Sequence, residues 1–436
     1  MDLRCDACSD QYCRVRLMVA ERWKHCMMAA GLAVLVSASQ AAAQSPPEGE
    51  PPSRLQMKSG ALTVTPAVRL VDVGVETNVF SEGKRASDFT TTVEPQLEAR
   101  IQRTRLDVRA TGRAGLVYYQ EFASERAFNP GFRLQADLRR SSRLEFYGDA
   151  DVGYTNGRSG PEVDARVRSF ARLLKAGTRI GGDKLQLDVN GSFTDVEVDE
   201  SEEFMNVHLE DTLNRTVQLG SVKLLHHLTP YTGLTFTGEG LQQRFPRAPE
   251  RDIDSVSGTV GLELSPQALI GGSAAIGYRS ANPLNDITPD FSGLIYRGGI
   301  SSTVRDRLSL SVGVERDIDP SYRYDAPYYE YDLYEAGVQQ VLWRRLDVGI
   351  SGSRTKIKYH PFTSGTFEGD LRETLDNLTV SVGLRVTRHN RVSGYISQWR
   401  RGGGANPYKD IQVGMMVTVG RVAVSERGVF LNGPTR

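Results

Sequence analysis

The feature that most constrains the fold is an alternation of apolar and polar residues that recurs along most of the chain. In the segment RLSLSVGVE (307–315), Leu308, Leu310 and every second residue after them are apolar, whereas serine, glycine and glutamate lie between them. A period of two is typical of a β-strand with one apolar face. The alternating segments run for about ten to sixteen residues, which suits strands that cross a bilayer at a tilt. The same alternation recurs at 105–116, 143–154, 184–192, 260–265, 345–351 and 377–386.

Counting these segments gives a second indication of fold class. The connections between them alternate between short and long, so short turns would lie on one rim and longer loops on the other. That layout is typical of a bacterial outer-membrane barrel with both termini in the periplasm. We therefore predict an all-β fold, a transmembrane antiparallel up-and-down β-barrel of about 18 strands, closed because an open sheet edge is costly in lipid. The strands are predicted near 62–75, 88–102, 105–120, 129–139, 143–155, 164–180, 184–197, 212–228, 231–244, 252–265, 268–280, 289–304, 307–317, 327–341, 345–358, 371–387, 391–400 and 408–420.

The N-terminal segment has the three parts of a secretory signal peptide. Basic residues precede an apolar run at 26–39, and the small residues Ala41, Ala42 and Ala43 follow it. The apolar run is too short to span a bilayer, which takes about 20 residues. We therefore predict cleavage before Gln44. The predicted organisation is a signal peptide (1–43), a flexible periplasmic linker (44–60), the outer-membrane barrel (61–420) and a C-terminal tail (421–436).

Three cysteines near the start have a spacing that could belong to a zinc or iron–sulfur site. Cys5, Cys8 and Cys13 nevertheless lie within the predicted signal peptide, as does the remaining cysteine. An alternative is that Met18 is the true start and that 1–17 is a mis-called upstream extension. In either case the mature chain has no cysteine, so we predict neither a metal site nor disulfide bonds, and no cofactor.

Polar and charged residues occupy the second face of the alternating segments. Charges of both signs cannot face lipid without a large cost, so we predict that they line an aqueous lumen. The total of 53 Lys and Arg equals that of Asp and Glu, which gives no support for a nucleic-acid partner and suits neutral or weakly charged hydrophilic cargo. The candidate lumen residues are Asp107, Arg109, Arg113, Glu145, Asp149, Asp151, Gln186, Asp188, Asn190, Glu263, Asp347 and Arg385.

The densest aromatic feature is the segment YRYDAPYYEYDLY (322–334). One interpretation is a platform that stacks on sugar rings at the channel mouth. The favoured interpretation is an interfacial girdle, in which amphipathic rings lie at the level of the lipid headgroups. The candidate residues are Tyr322, Tyr324, Tyr328, Tyr329, Tyr331 and Tyr334.

Enzymatic chemistry has little support in the sequence. His360 could pair with Ser351 or Ser353, but no G-x-S-x-G motif accompanies them. The acidic segment VEVDESEE (196–203) lacks the spacing of a calcium-binding loop. We predict that the chain is not an enzyme, with a lumen-blocked enzymatic or structural barrel as the less favoured alternative.

The region 62–102 carries a family resemblance. Its motifs are Asn78-Val79-Phe80 after the first strand, then Asp88-Phe89-Thr90, and a strand that contains Pro95 and Leu97. These residues resemble the start of the putative β-barrel porin type 2 family, and the resemblance covers about 60–420. It implies an outer-membrane barrel of a Gram-negative bacterium, and members often occur beside genes for exopolysaccharide synthesis and export.

The resemblance implies a conduit that exports polysaccharide, with a periplasmic polysaccharide export protein as a partner. The alternative is a general diffusion porin for small hydrophilic solutes. Outer-membrane lipid and lipopolysaccharide should surround the barrel. The segment QVGMMVTV (412–419) partly resembles the final-strand signal for the barrel-assembly machinery, although it closes on valine where an aromatic residue is usual.

Overall fold

The computed structural model describes residues 56–81, 86–158, 160–163, 165–265, 268–305, 307–343, 345–363, 371–387, 390–404 and 407–420. The predicted signal peptide with its cysteines, linker residues 44–55 and the C-terminal tail lie outside the described residues.

Long antiparallel strands form one closed sheet, which confirms the predicted 18-stranded barrel. The alternating sequences form these strands because a pleated strand sends successive side chains to opposite faces. A three-residue strand, Met57–Ser59, also pairs with the start of the first barrel strand. The barrel strands are β1 (Leu62–Glu76), β2 (Asp88–Gln102), β3 (Leu106–Tyr119), β4 (Ala127–Ser141), β5 (Leu144–Arg158), β6 (Arg166–Gly181), β7 (Leu185–Val198), β8 (Arg215–Thr229), β9 (Thr232–Arg244), β10 (Ile253–Leu264), β11 (Ile270–Pro283), β12 (Phe291–Val304), β13 (Leu308–Pro320), β14 (Tyr328–Leu342), β15 (Leu346–His360), β16 (Arg372–Arg385), β17 (Asn390–Gly403) and β18 (Tyr408–Gly420).

The two ends of the barrel differ in their connections. Connections after even-numbered strands are tight and form what we call the short-turn rim, whereas those after odd-numbered strands include the longest and form the long-loop rim. In the part of the chain that the structure describes, no helix is long and apolar enough to cross a membrane. The long-loop rim carries two 3-10 turns (Ala123–Glu125 and Pro249–Arg251), a small hairpin (Glu203–Phe204 with Val207–His208) and an α-helix (Leu209–Leu213).

The barrel closes where β1 pairs antiparallel with β18. A bulge between Leu70 and Val73 shifts the register within this seam. Beyond the bulge, a Cβ atom at Gly74 would lie 1.9 Å from the carbonyl oxygen of Val413. The close approach of the two backbones therefore requires glycine at this position.

The outward face of the wall is apolar in the middle of the strands. Ile350, Val380, Ile396 and Val413 are direct cross-strand neighbours on β15 to β18, and each remains at least 40% exposed in the isolated chain. A row of exposed apolar side chains is stabilised by contact with lipid acyl chains and not by contact with water. Buried apolar clusters occur instead at the long-loop rim, where loops pack against the ends of strands.

Candidate functional site

Ion pairs and hydrogen bonds on the inward face join strands that are not adjacent. Lys223 on β8 contacts Glu263 on β10 at 2.7 Å, and Tyr147 on β5 donates a hydrogen bond to Asp188 on β7 at 2.7 Å. Strands two apart are separated by about 10 Å, so their side chains meet only where the curved wall makes them converge. These contacts therefore identify the concave, inward face of the barrel.

The structure places the predicted lumen residues in this network or at its edge. Gln186 lies on the same face of β7 as Asp188, and Arg385 ends β16 with an exposed side chain at the short-turn rim. The observed contacts are Asp107 with Arg100 (2.9 Å), Arg109 with Glu98 (3.9 Å), Arg113 with Asp151 (3.9 Å), Glu145 with Arg179 (2.6 Å), Asp149 with Arg133 (2.8 Å), Asn190 with Asp188 (3.0 Å), Glu263 with Lys223 (2.7 Å) and Asp347 with Gln339 (3.1 Å) and Arg391.

Several partners in these contacts are absent from the predicted lumen set. Arg100, Arg133, Arg179 and Lys223 lie on β2, β4, β6 and β8, which carry none of the predicted residues. Each directly precedes or follows an exposed apolar residue (Ile101, Leu134, Ile180 and Val222), so alternation alone could have identified them. Their effect is to pair most of the named acidic groups with cations. A wall of neutralised pairs presents water with hydrogen-bonding groups but with little net electrostatic field.

Four connections of the long-loop rim pack together over the mouth of the barrel. We call this assembly the cap; it comprises 160–163, 199–214, 245–252 and 321–327. Its apolar part joins Tyr322 to Phe204 with their rings 5.0 Å apart, and Leu209 is only 1% exposed. Because these residues come from different connections, apolar burial holds the loops over the opening. The cluster comprises Val163, Val167, Val198, Phe204, Val207, Leu209, Leu213 and Tyr322.

Glu162 forms the polar centre of the cap. Its carboxylate accepts hydrogen bonds from the hydroxyl of Ser321 (2.5 Å) and from the backbone amide of Tyr322 (2.9 Å). The guanidinium of Arg401 on β17 donates to the backbone carbonyl of Glu162 at 2.8 Å and also pairs with the Glu373 carboxylate on β16. Glu162 therefore connects two loops and the barrel wall.

Two further arginines tie the loops to each other. Arg251 donates to the carbonyl oxygens of Ser321 (2.8 Å) and Arg323, and its burial lowers its pKa to about 10. Arg166 at the start of β6 pairs with Glu76 at the end of β1, five strands away. Hydrogen bonds from a buried charged group are stronger than neutral ones, so these contacts favour a narrowed mouth.

The tyrosines of 322–334 do not form an interfacial girdle as a group. Tyr322, Tyr328, Tyr329 and Tyr331 are all less than 5% exposed, because they pack against the cap or against neighbouring strand ends. The girdle interpretation is therefore wrong for these four residues. Tyr324 and Tyr334 are 51% and 39% exposed, and for them both interpretations stay predictions. Outward-facing aromatic residues near the long-loop rim include Phe89, Tyr118, Phe128 and Tyr154.

His360 does not meet the serines considered for it. Ser351 lies nine residues away on the same strand, which is a separation of about 30 Å. The His360 ring instead stacks on Tyr328 with the centroids 4.9 Å apart. His360 therefore contributes to aromatic packing at the long-loop rim.

Glu162 should make the cap sensitive to pH. Burial raises the pKa of its carboxyl to about 7, with Glu373 acting in the same direction and Arg401 opposing it. A raised carboxyl pKa means that the cap contact is fully stable below about pH 4.5 and weakens as pH rises through 7. We therefore expect channel conductance in planar bilayers to increase as the pH rises from about 4.5 to about 7, and to stay level above that.

Glu162→Gln is the matched variant for this prediction, because its amide keeps an acceptor for Ser321 and cannot ionise. It should remove the pH dependence of conductance. An unchanged pH profile in this variant would show that another group controls the mouth.

Comparison with known proteins identifies the family to which the chain belongs. Residues 54–387, more than half of the chain, match the family described as Putative beta-barrel porin 2. No curated protein sequence matches the chain significantly.

Similar solved structures are outer-membrane barrels at low identity. Pseudomonas aeruginosa OccK2 (OpdF), crystallised with glucuronate, is 10% identical, with 82% of this chain and 98% of that chain covered and a TM-score of 0.47. The outer membrane protein OpdK of Pseudomonas aeruginosa is 9% identical over 82% of this chain and 98% of its own, with a TM-score of 0.46. The siderophore receptor PirA from Acinetobacter baumannii is 9% identical over 81% and 73%, with a TM-score of 0.46. By the match over 54–387, this chain belongs to the Putative beta-barrel porin 2 family of outer-membrane β-barrels.

Proposed function

We propose that the protein is a passive outer-membrane channel for small, uncharged or weakly charged hydrophilic solutes. The long-loop rim would face the cell exterior and the termini the periplasm. The observation that carries this proposal is the inward face of matched ion pairs, such as Lys223 with Glu263 and Arg133 with Asp149. A barrel of this strand number leaves an aqueous interior, and paired charges keep it wet without strong ion selectivity.

The cap supports a size limit at the outer mouth. Its packed residues include Leu209, Tyr322 and Glu162, and they occupy the space between loops that start on different sides of the barrel. Small solutes would pass through the openings that the cap leaves, and larger ones would pass only when the cap loosens.

Export of polysaccharide is a second candidate, which the family resemblance implies. Tyr329, Tyr331 and Tyr359 form an aromatic cluster beneath the cap, with Tyr329 and Tyr359 rings 6.3 Å apart. If the cap moved aside, these rings would flank a polymer leaving the barrel, and sugar C–H faces pack on aromatic rings. A periplasmic export protein would then be the partner, and glycosyltransferase genes beside this gene would favour this function.

Assembly of the barrel supports two further proposals about partners. The barrel-assembly machinery would recognise 412–419, which lies within the closing strand β18. Outer-membrane lipid and lipopolysaccharide would then surround the apolar wall.

Selectivity measurements test the proposed channel. We expect the wild-type protein to conduct in planar bilayers with little preference between cation and anion. Lys223→Glu would replace a pair by two carboxylates and should shift the reversal potential towards that of a cation-selective pore. The double variant Lys223→Gln with Glu263→Gln is the matched control and should stay nearly unselective. The absence of current in all of these proteins above pH 7, where Glu162 is ionised and the cap is weakened, would contradict the channel.

A further inference from the structure

The outward face of one side of the barrel changes from apolar to basic towards the long-loop rim. On β15, Ile350 belongs to the apolar row and Arg354 lies four residues further on, about 13 Å along the strand. Arg354, Lys356 and Lys358 are exposed, whereas the residues between and after them, such as Thr355 and Ile357, are buried. The cations therefore point outward from the barrel wall. We call this surface the basic patch; it comprises Arg354, Lys356, Lys358, Arg372, Arg400 and Lys409.

The strand register places cations of the basic patch directly opposite each other. Lys358 on β15 is the cross-strand partner of Arg372 on β16, and Arg400 on β17 is the partner of Lys409 on β18. Like charges in directly opposite positions destabilise a sheet unless an anion lies between them. Two such pairs, about four residues apart along the strands, indicate that the patch attracts an anionic ligand.

Three acidic side chains lie beside the six cations of the basic patch: Glu330 is the cross-strand partner of Lys358, Asp332 that of Lys356 and Asp376 that of Arg400. The patch therefore keeps an excess of positive charge. Arg354 donates two hydrogen bonds of 2.6 and 3.0 Å to the carboxylate of Asp376. Glu330 and Asp332 form ion pairs with Arg316 at 2.5 and 3.2 Å. Among the described residues, the ion pairs of these three carboxylates are with Arg316 and Arg354 rather than with Lys358, Arg372, Arg400 or Lys409.

Other parts of the outer wall at the same rim lack this character. Arg172 on β6 contacts Asp195 at 2.7 Å and Glu197 at 2.5 Å, so the charges there are balanced. Over β2 to β5 the corresponding positions carry aromatic residues such as Tyr118 and Phe128. The excess of positive charge is thus confined to β15–β18.

We propose that the basic patch binds the phosphate groups of a phosphorylated glycolipid of the lipid A type, whose acyl chains lie against the apolar row below. Arginine matches phosphate with two parallel N–H donors, and a lipid would satisfy both the charge and the apolar surface beneath it. The proposal rests on the orientation given under the proposed function, in which the long-loop rim lies at the outer leaflet, where such lipids occur.

The experiment measures binding of purified lipid A to the full-length mature protein in detergent by native mass spectrometry. The comparison ligands are dephosphorylated lipid A and inorganic phosphate. Wild-type protein should bind lipid A at least about tenfold more tightly than dephosphorylated lipid A. Lys358→Gln with Arg372→Gln should lose most of that preference, and adding Arg400→Gln with Lys409→Gln should abolish it.

Arg172→Gln with Arg244→Gln is the matched control, because it removes two outward cations that already have acidic partners. This control should bind lipid A as the wild type does. Heat-modifiable migration in gels verifies that each variant is folded. If the fourfold variant does not fold, the double variant Lys358→Gln with Arg372→Gln is sufficient to test the proposal. Equal binding of both lipid forms, equal loss in the control, or equal binding of inorganic phosphate would overturn the proposal.

Orientation and conduction are measured separately, so their failure is distinguishable from failure of lipid binding. A cysteine placed at Glu200 should react with an impermeant reagent on intact cells. Labelling only after the outer membrane is broken would refute the orientation and, with it, the assignment to the outer leaflet. Lipid selectivity without any conductance would instead contradict only the proposed channel.

Discussion

Replacing Val222 by arginine should destabilise the barrel by about 2 to 4 kcal/mol, whereas arginine at Ser221 should be tolerated. Val222 lies at the middle of β8 and is 49% exposed on the outward face, where a cation would meet the centre of the bilayer. Ser221 points inward and has Glu239 as a cross-strand partner, so an arginine there would find water and an opposite charge. The two variants differ by one position and by the face of the strand.

Reversible unfolding by denaturant in lipid vesicles measures this difference. The free energy of unfolding should fall for Val222→Arg and stay near the wild-type value for Ser221→Arg. Equal losses in both variants would mean that the inward face is not aqueous at this depth, and a larger loss for Ser221→Arg would reverse the assignment of the two faces.

The second large effect should come from the buried pair of Arg401 and Glu373. Their side chains are 6% and 4% exposed, and Arg401 also holds the Glu162 carbonyl. Arg401→Met would leave a buried carboxylate without its cation, which costs about 3 to 5 kcal/mol. We expect the cap to loosen in this variant and conductance to rise.

A double substitution separates the buried charge from the lost packing. Arg401→Met with Glu373→Gln removes both charges, so it should recover a substantial part of the lost stability, because two neutral groups of similar size carry no ionic desolvation penalty. Thermal unfolding in detergent measures stability, and planar bilayers measure conductance. Wild-type stability in the single variant would show that the pair does not hold the cap.

The strand pattern could be predicted from sequence because the bilayer imposes it residue by residue. The predicted segment 164–180 corresponds to β6 (Arg166–Gly181), and 345–358 corresponds to β15 (Leu346–His360). Outward residues at the depth of the lipid core must be apolar and inward ones can be polar, so the alternation is visible in any single strand. Closure follows, because lipid leaves no other partner for the edge strands.

For the candidate site, the sequence predicts which residues face inward but not which of them form pairs. Parity assigns residues such as Asp188 and Glu263 to one face, but their pairing with Arg179 and Lys223 depends on strand register and curvature. The tyrosine segment shows the limit of a local pattern. Tyr329 is predicted from the sequence to be interfacial, but its ring packs against those of Tyr331 on β14 and Tyr359 on β15 and is buried there.

The sequence by itself therefore determined the class of fold, the number of strands, the two faces of the wall and the chemistry of the lumen. Only the tertiary structure decided that the mouth is capped. Glu162 and Ser321 are separated by 159 residues, and Glu162 and Arg401 by 239. Strand periodicity reports on the environment of each residue but not on its distant partners. A loop has no such period, so its position follows from closure of the barrel, which brings loops from distant parts of the chain over one opening.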